Sequence, residues 1–469
     1  MAAVSRSPFR SPLYWIAFAA GLAWTVVMWV RAAPFASALD DEIGHFLIAR
    51  DSWTDPQLLL NAWGRVGTTL AFVLPAAGGL EVARGAALAM SAGTVLIATL
   101  VARQLGVRTL VLVPVFLWFQ PWFHFYGNAV LTEVPFALVM IAACWAALAE
   151  REAVASLLFG LLPLIRHEGI AVLALWIGFL VYRRRPSMAA LSVVPWLAYQ
   201  VAFSLVFHVR LFDIYLHKTQ TGSYGHGGWL HYALPLARSI GPVIGLLALA
   251  GLVAQRRNTR FLVFAAPYVL LVLVETVIFR YGLFGSGGNA DYLVPIAPLA
   301  AVAAAFGADR VLQIAPGRAL RTSTAIAAVL ALAAGAYALR TKPAHADAAA
   351  RPMHGAVRFL RAAQPDPGNV TATHVWYFEM SGSSIPGGDG LHSPWSHPPH
   401  PAAFAPGSVV VWDCFYSGRF GLSWRRLRRA GFGELASFGG GRVVVLRRGG
   451  GQGTGGALRG MTIRRPRCR

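Results

Sequence analysis

The sequence predicts a polytopic α-helical membrane protein of about 11 transmembrane helices, with a small C-terminal α/β domain outside the cytoplasm. Three observations predict it. Of 469 residues, 56% are hydrophobic and 13% charged, and the mean hydropathy is +0.54, too apolar for a soluble protein with a single core. Apolar runs long enough to cross the roughly 30 Å hydrocarbon core recur from residue 12 to residue 340. Basic residues then fall at every second loop: Arg103 and Arg108, Arg183 to Arg185, Arg256, Arg257 and Arg260, and Arg310, Arg318 and Arg321. That alternation is the positive-inside pattern of cytoplasmic loops.

The net charge of +21 does not point to nucleic acid, because Lys and Arg are spread over loops and not gathered in one basic domain interleaved with aromatics. A last basic group, Arg447, Arg448 and Arg459 to Arg469, reads as a disordered tail over 449–469. Cys144, Cys414 and Cys468 match no metal or redox spacing.

Helix 1 runs from about Pro12 to Val30. Its basic N-terminal flank stays inside, so Asp40, Asp41 and Glu42 emerge outside at the membrane exit. Three adjacent carboxylates repel one another, and nearby lipid makes their ionisation costlier still. The stretch from Glu42 to Trp53 fits an interfacial amphipathic helix. Asn61 to Pro75 reads as a second, with Trp63 as its headgroup anchor. Helices follow at about 81–101, 109–119, from Leu131 onward, 153–165, after Gly169, 188–207, on both sides of Arg256, after Asp291, and 325–339. The catalytic first outer loop, 31–80, belongs to a transmembrane domain 1–344.

From His345 the apolar density falls, and 345–448 reads as the small α/β domain. Its expected elements are helices over 353–363 and 424–430 and strands over 370–378, 408–413 and 442–446. Between them, 385–406 reads as a solvated loop rich in Pro, Gly and His. Its His392, His397 and His400 have no carboxylate or Cys partner at metal-ligand spacing.

Asp40, Asp41, Glu42, Arg65, His124, Glu133, Arg166, His167, Glu168, Lys218, Asn289 and Asp291 all fall on the outer side of this alternation. Ionisable residues at membrane depth are costly, and by default they mark a site. An acceptor hydroxyl attacking an anomeric carbon needs a carboxylate to take its proton, and a departing lipid phosphate needs cationic donors. Arg65, Arg166 and Lys218 are the outer-face cations. Each residue also has a plainer reading: Arg166 as a snorkelling side chain, Glu133 and the Asp-Asp-Glu triplet as helix N-terminal carboxylates, and His124 as an interfacial ring.

Asp41-Glu42, Trp63-Gly64-Arg65, Leu131-Thr132-Glu133-Val134-Pro135, Arg166-His167-Glu168-Gly169 and Asp291-Tyr292-Leu293-Val294-Pro295 occur in one order along the chain. Together they resemble the GT-C superfamily of membrane glycosyltransferases, which use polyprenyl-phosphate sugars and include protein O-mannosyltransferases and aminoarabinose transferases. The resemblance covers roughly residues 12 to 345. It implies an inverting, mannosyltransferase-like hexosyl transfer from a polyprenyl-phosphate sugar to a lipid, glycan or protein acceptor, at the bacterial inner membrane. Asp41 is then the candidate general base, with Asp40 the alternative and Glu42 beside them. Arg65, His124, Glu133, Arg166, Glu168, Lys218 and Tyr292 are the candidate substrate-binding residues. Asp41, Glu42 and His45 could hold a divalent ion such as Mg or Mn, although some families of the superfamily work without one. The chain departs from the pattern at Asp291, where many relatives have Arg, and at His167, where relatives often have Pro.

A secondary transporter or flippase for a lipid-linked or anionic solute would also place ionisable groups in a membrane. Such proteins tend to show matched halves and broken helices around a midplane site. Here the polar residues cluster at one face and no internal repeat is evident.

Overall fold

The fold is taken from a computed structural model that describes residues 8–31, 40–216, 225–313, 348–363, 370–388 and 390–449, with positions 329 and 333. The expected helix over 325–339, Lys218 and the tail beyond residue 449 therefore lie outside the described residues. The first helices are α1 (Pro12–Val30), α2 (Asp40–Asp51), α3 (Val66–Ala76), α4 (Leu80–Leu105), α5 (Leu112–Trp118), α6 (Pro121–Tyr126) and α7 (Glu133–Leu148). There follow α8 (Glu152–Ile165), α9 (Gly169–Tyr182), α10 (Pro186–Phe207), α11 (Asp213–Leu216), α12 (Ala233–Ile240), α13 (Pro242–Gln255), α14 (Thr259–Arg280) and α15 (Ala297–Gln313). The C-terminal part adds α16 (Ala350–Ala363), β1 (Val370–Ala372), α17 (Val375–Ser381), β2 (Val409–Asp413), α18 (Trp424–Arg429), β3 (Phe432–Phe438) and β4 (Val443–Arg448).

The chain forms two compact units, residues 1–32 with 65–343, and residues 33–64 with 344–469. The segment 33–64 thus folds with the C-terminal region, whereas the sequence alone groups the whole stretch 31–80 with the transmembrane domain.

The first unit is helical. Among the described residues five helices are long and apolar enough to cross a membrane, or six if the pair α12 and α13, bent by 105°, is one broken span. The described residues do not confirm the expected count of eleven. Helices α7, α8 and α9 have 16, 14 and 14 residues; at about 1.5 Å per residue they reach only about 21–24 Å, short of the roughly 30 Å hydrocarbon core. The expected span over 109–119 contracts to α5, seven residues.

Two local features of this unit place the residues that matter below. Pro163 sits in the last turn of α8, and the chain turns over that end through Arg166-His167-Glu168 into α9. The return is so close that a Cβ on Gly169 would lie 2.4 Å from the Leu162 carbonyl carbon, so only glycine fits there. Before α15 the chain makes a tight 3₁₀ helix, Ala290–Ile296, which contains Pro295 and holds Asp291 and Tyr292.

The second unit is built on a four-stranded sheet of order β1-β2-β4-β3, with β1 parallel to β2 and the other pairs antiparallel. Every residue of β2 is buried, and Val410 and Trp412 pack with Leu422, Leu427, Phe432, Val444 and Leu446 in one apolar cluster. Strand β3 was not expected from the sequence: its bulge between Glu434 and Ala436 breaks the two-residue alternation by which strands are read. The expected strand over 370–378 stops at Ala372. His374 then caps α17 by accepting the Trp376 N–H at 3.3 Å, and Gly382 at φ 76° ends it. The side-chain cap overrides the strand preference of Val375-Trp376-Tyr377-Phe378.

Helix α2 is not the expected interfacial amphipathic helix. Residues 42–49 are buried on all its sides, so it is a core element of the second unit. The expected loop over 385–406 is largely exposed, His397 and His400 included, but its buried Ile385 and Trp395 pack toward α2. Asp51 accepts the Ile385 N–H at 2.7 Å, the Arg50 guanidinium donates to the Ser383 carbonyl at 2.8 Å, and Ala62 donates to the Gly390 carbonyl at 2.7 Å. Trp63 is no headgroup anchor either; its ring lies 4.7 Å from that of His45 and 5.1 Å from that of Trp395.

Candidate functional site

In the first unit, the turn between α8 and α9 places Arg166 at the centre of a buried ion cluster. Its guanidinium donates to Glu133, to both oxygens of Glu168 at 2.8 and 3.3 Å, to Glu275 at 3.3 Å and to the Thr132 hydroxyl at 3.0 Å. The Tyr292 ring covers one face, its centroid 5.0 Å from the guanidinium carbon. Arg166 is only 5% exposed, which removes the snorkelling reading. One cation facing three carboxylates leaves excess negative charge at a desolvated site, and such a cluster persists only if hydrogen bonds and shared protons compensate it. Glu168 and Glu275 both accept from the same Arg166 nitrogen, Nη2, at 2.8 and 3.3 Å. Burial opposes the charge on Glu168, but Arg166 outweighs it and holds that carboxyl well below the usual range.

His167 lies beside this cluster with its ring largely covered. Burial is the larger cause that pushes its imidazole down to about 4; Glu168 opposes the shift, and Arg65 and Arg166 reinforce it. The ring is therefore neutral near pH 7. Its Nδ1 lies 3.0 Å from Arg65 Nη2, so the guanidinium donates and Nδ1 is the acceptor. On its other side the ring meets Phe284 at 4.6 Å. Arg65 has φ 59° and Phe284 φ 53°, left-handed values that non-glycine residues adopt at a cost of about 1–3 kcal/mol. Two strained residues thus bracket one neutral histidine. Among the described residues no carboxylate pairs with Arg65, which also acts electrostatically on Tyr199 and Tyr215.

His124 is not brought to this cluster. It lies buried 3.3 Å from the Thr25 hydroxyl of α1 and 6.2 Å from the Trp24 ring, a packing position.

In the second unit, the carboxylate triplet opens α2, and successive helical side chains point about 100° apart. The three acids accordingly meet different surroundings. Glu42 is 1% exposed, Asp41 is exposed, and Asp40 is intermediate and accepts a hydrogen bond from the Tyr416 hydroxyl. Asp40 Oδ1 also accepts the Asp41 N–H at 3.1 Å. His45 is buried with its ring stacked on Trp63. These positions do not suit a divalent ion held by Asp41, Glu42 and His45, and among the described residues no three His, Cys, Asp or Glu side chains gather into a group that could hold one. No step below is routed through a metal.

The sequence reading missed Glu275, Tyr416 and Asp413. Glu275 had a signal, being the one acidic residue within the apolar run of α14. Tyr416 and Asp413 had none, because their roles come from a tertiary arrangement that no local pattern announces.

No protein-family model matches the chain, and no curated protein matches it in sequence. Solved structures do match it in fold. The crystal structure of ArnT from Cupriavidus metallidurans bound to undecaprenyl phosphate superposes with a TM-score of 0.64 at 12% identity, over 93% of this chain and 98% of that one. The Archaeoglobus fulgidus oligosaccharyltransferase superposes in its apo form with a TM-score of 0.51 at 12% identity, over 92% of this chain and 74% of that one. The same enzyme tethered to an acceptor peptide gives 0.50, again at 12% identity and over the same shares. Both are GT-C superfamily members, so the fold is the one that the ordered motifs resemble. With its apolar helices, the chain is an integral membrane protein.

Proposed function

We propose that the chain is an inverting glycosyltransferase that moves a sugar from a polyprenyl-phosphate donor to an acceptor hydroxyl outside the cytoplasm, at a bacterial inner membrane. The observation that carries this reading is the likeness of fold, over more than nine tenths of both chains, to a structure bound to undecaprenyl phosphate. The acceptor oxygen bonds to the anomeric carbon as the bond from that carbon to the phosphate oxygen breaks. Asp41 takes the hydroxyl proton, and the polyprenyl phosphate departs with the bonding pair. Asp41 is preferred over Asp40 because it is the more exposed of the two.

Within the first unit, Arg65 is the cation best suited to a lipid phosphate. The neutral His167 orients its guanidinium without consuming its charge, and the strained backbone at residue 65 supports a functional reading. Arg166 has its donors committed to Thr132, Glu133, Glu168 and Glu275, so its part is to fix the turn that carries His167. The acceptor is a lipid, a glycan or a protein.

The test is a panel of radiolabelled undecaprenyl-phosphate monosaccharides, offered to the protein in proteoliposomes containing inner-membrane lipid extract. Transfer of label with inversion at the anomeric carbon is the expected result. Retention at that carbon would overturn the single displacement, and counterflow of an intact solute without covalent change would favour a transporter.

A further inference from the structure

The geometry points to Tyr416 as a positioning residue for the carboxylates that open α2: its hydroxyl holds Asp40 in place beside Asp41, the more exposed acid and the proposed base. The inference rests on the glycosyltransferase reading above and adds to it a role for the C-terminal sheet.

The placement of Tyr416 is built from the end of β2. Asp413, the last residue of that strand, is fully buried and accepts four hydrogen bonds: from the N–H groups of Phe415 and Tyr416 at 2.8 and 2.7 Å, and from the hydroxyls of Thr373 and Ser417 at 3.0 and 2.8 Å. Ser417 and Thr373 are themselves fully buried and 2.8 Å apart. A carboxylate with that many donors is a rigid post, because moving any of them leaves a buried acceptor short of partners. The post fixes the turn 413–417. The Tyr416 ring is then clamped, stacked on Phe420 with centroids 5.4 Å apart and planes at 6°, and edge-on to His374 at 5.2 Å. What is left for its hydroxyl is the contact with Asp40 Oδ2.

The consequence follows from the order of the acids. Asp40 and Asp41 are neighbours on the first turn of one helix, each chemically able to accept a proton. A donor on Asp40 Oδ2, with the Asp41 N–H on its Oδ1, engages both oxygens of Asp40 and fixes the plane of its carboxylate. Asp41 carries the exposed side chain. Removing the phenol hydroxyl takes this donor from Asp40 Oδ2 and lets its carboxylate turn from the geometry that Asp41 shares, so turnover should fall while the donor binds as before.

The experiment compares the full-length wild type with Tyr416→Phe, Asp40→Ala and the double variant, on whichever undecaprenyl-phosphate sugar of the panel the wild type turns over. Tyr416→Phe should lower kcat about tenfold, the worth of a hydrogen bond to a charged group, with the donor KM and the thermal midpoint unchanged. In the Asp40→Ala background the same change should have no further effect. A fall in thermal midpoint without a fall in kcat, or an undiminished effect of Tyr416→Phe on Asp40→Ala, would make Tyr416 a domain anchor and overturn the proposal. A second arm needs no turnover: 3-fluorotyrosine at position 416, followed by ¹⁹F NMR, should ionise about one pH unit higher in wild type than in Asp40→Ala, because the neighbouring carboxylate opposes the phenolate. Identical titrations would overturn the link. If the wild type transfers no sugar, the enzyme reading falls, and this arm still decides whether Tyr416 holds Asp40.

Discussion

The three acids at the start of α2 show how burial sorts residues that the sequence leaves equivalent. Side chains 100° apart cannot all face one substrate, and here one is buried, one is held by a tyrosine and one is exposed. Asp41→Asn removes the charge and keeps the shape. Turnover should fall at least about a hundredfold with donor affinity nearly intact, the lower end for a lost general base. Asp40→Asn should cost less, and Glu42→Gln should act as a loss of structure, visible in the thermal midpoint. Single-turnover rates and donor binding measured on the same preparations would separate these, and near-normal turnover in Asp41→Asn would remove the base assignment. Arg166 shows the limit of reading residues singly. Its position in the Arg-His-Glu-Gly motif was legible, but the three carboxylates that claim it come from α7, the α8–α9 turn and α14, whose meeting no spacing rule encodes.

At the scale of elements, long apolar runs were legible because their signal is composition. Helix α1 occupies the expected 12–30, and α10 and α14 have the length and hydropathy of spans. The short elements were not, because their form is decided by partners: α2 looks interfacial until the tryptophans are seen. Gly44 records that packing. A Cβ there would lie 2.7 Å from both Trp63 Cη2 and Trp395 Cη2, so the rings close over the helix at the place where it has no side chain. Gly44→Ala should therefore destabilise the protein by about 1–3 kcal/mol through overpacking, and Gly44→Ala with Trp395→Leu should recover part of it. Thermal melts in detergent check both, and an unaltered melt in the single variant would show that the rings are not in place.

At the scale of the whole molecule, the alternation of basic loops assigns the C-terminal unit to the outside, and that assignment is open to a direct test. Ser437 is exposed on β3. A Ser437→Cys protein in intact spheroplasts should react with a membrane-impermeant maleimide above the wild-type background; reaction only after lysis would place the unit inside. Of the division into two units, the boundary near residue 344 was legible and the membership of 33–64 was not. Composition changes at His345, which marks the end of the helical region, but nothing in the composition of 33–64 ties it to a sheet that begins at Val370.

That discontinuity sets a timetable for synthesis. Helix α2 leaves the ribosome early, and its covering residues, Ile385, Trp395 and Tyr416 among them, are made only after 65–343 has been translated and inserted. At about 5–20 residues per second that interval is on the order of 15–60 seconds, long compared with the microseconds in which a helix forms and an exposed apolar surface finds some other partner. For that time α2 has the turn Pro56–Leu60 and Trp63 beside it, and the cover from Ile385, Trp395 and Tyr416 is missing. The waiting segment is thus the place where a holding chaperone or the insertion machinery has most to do, and where a stalled or truncated chain would be recognised first.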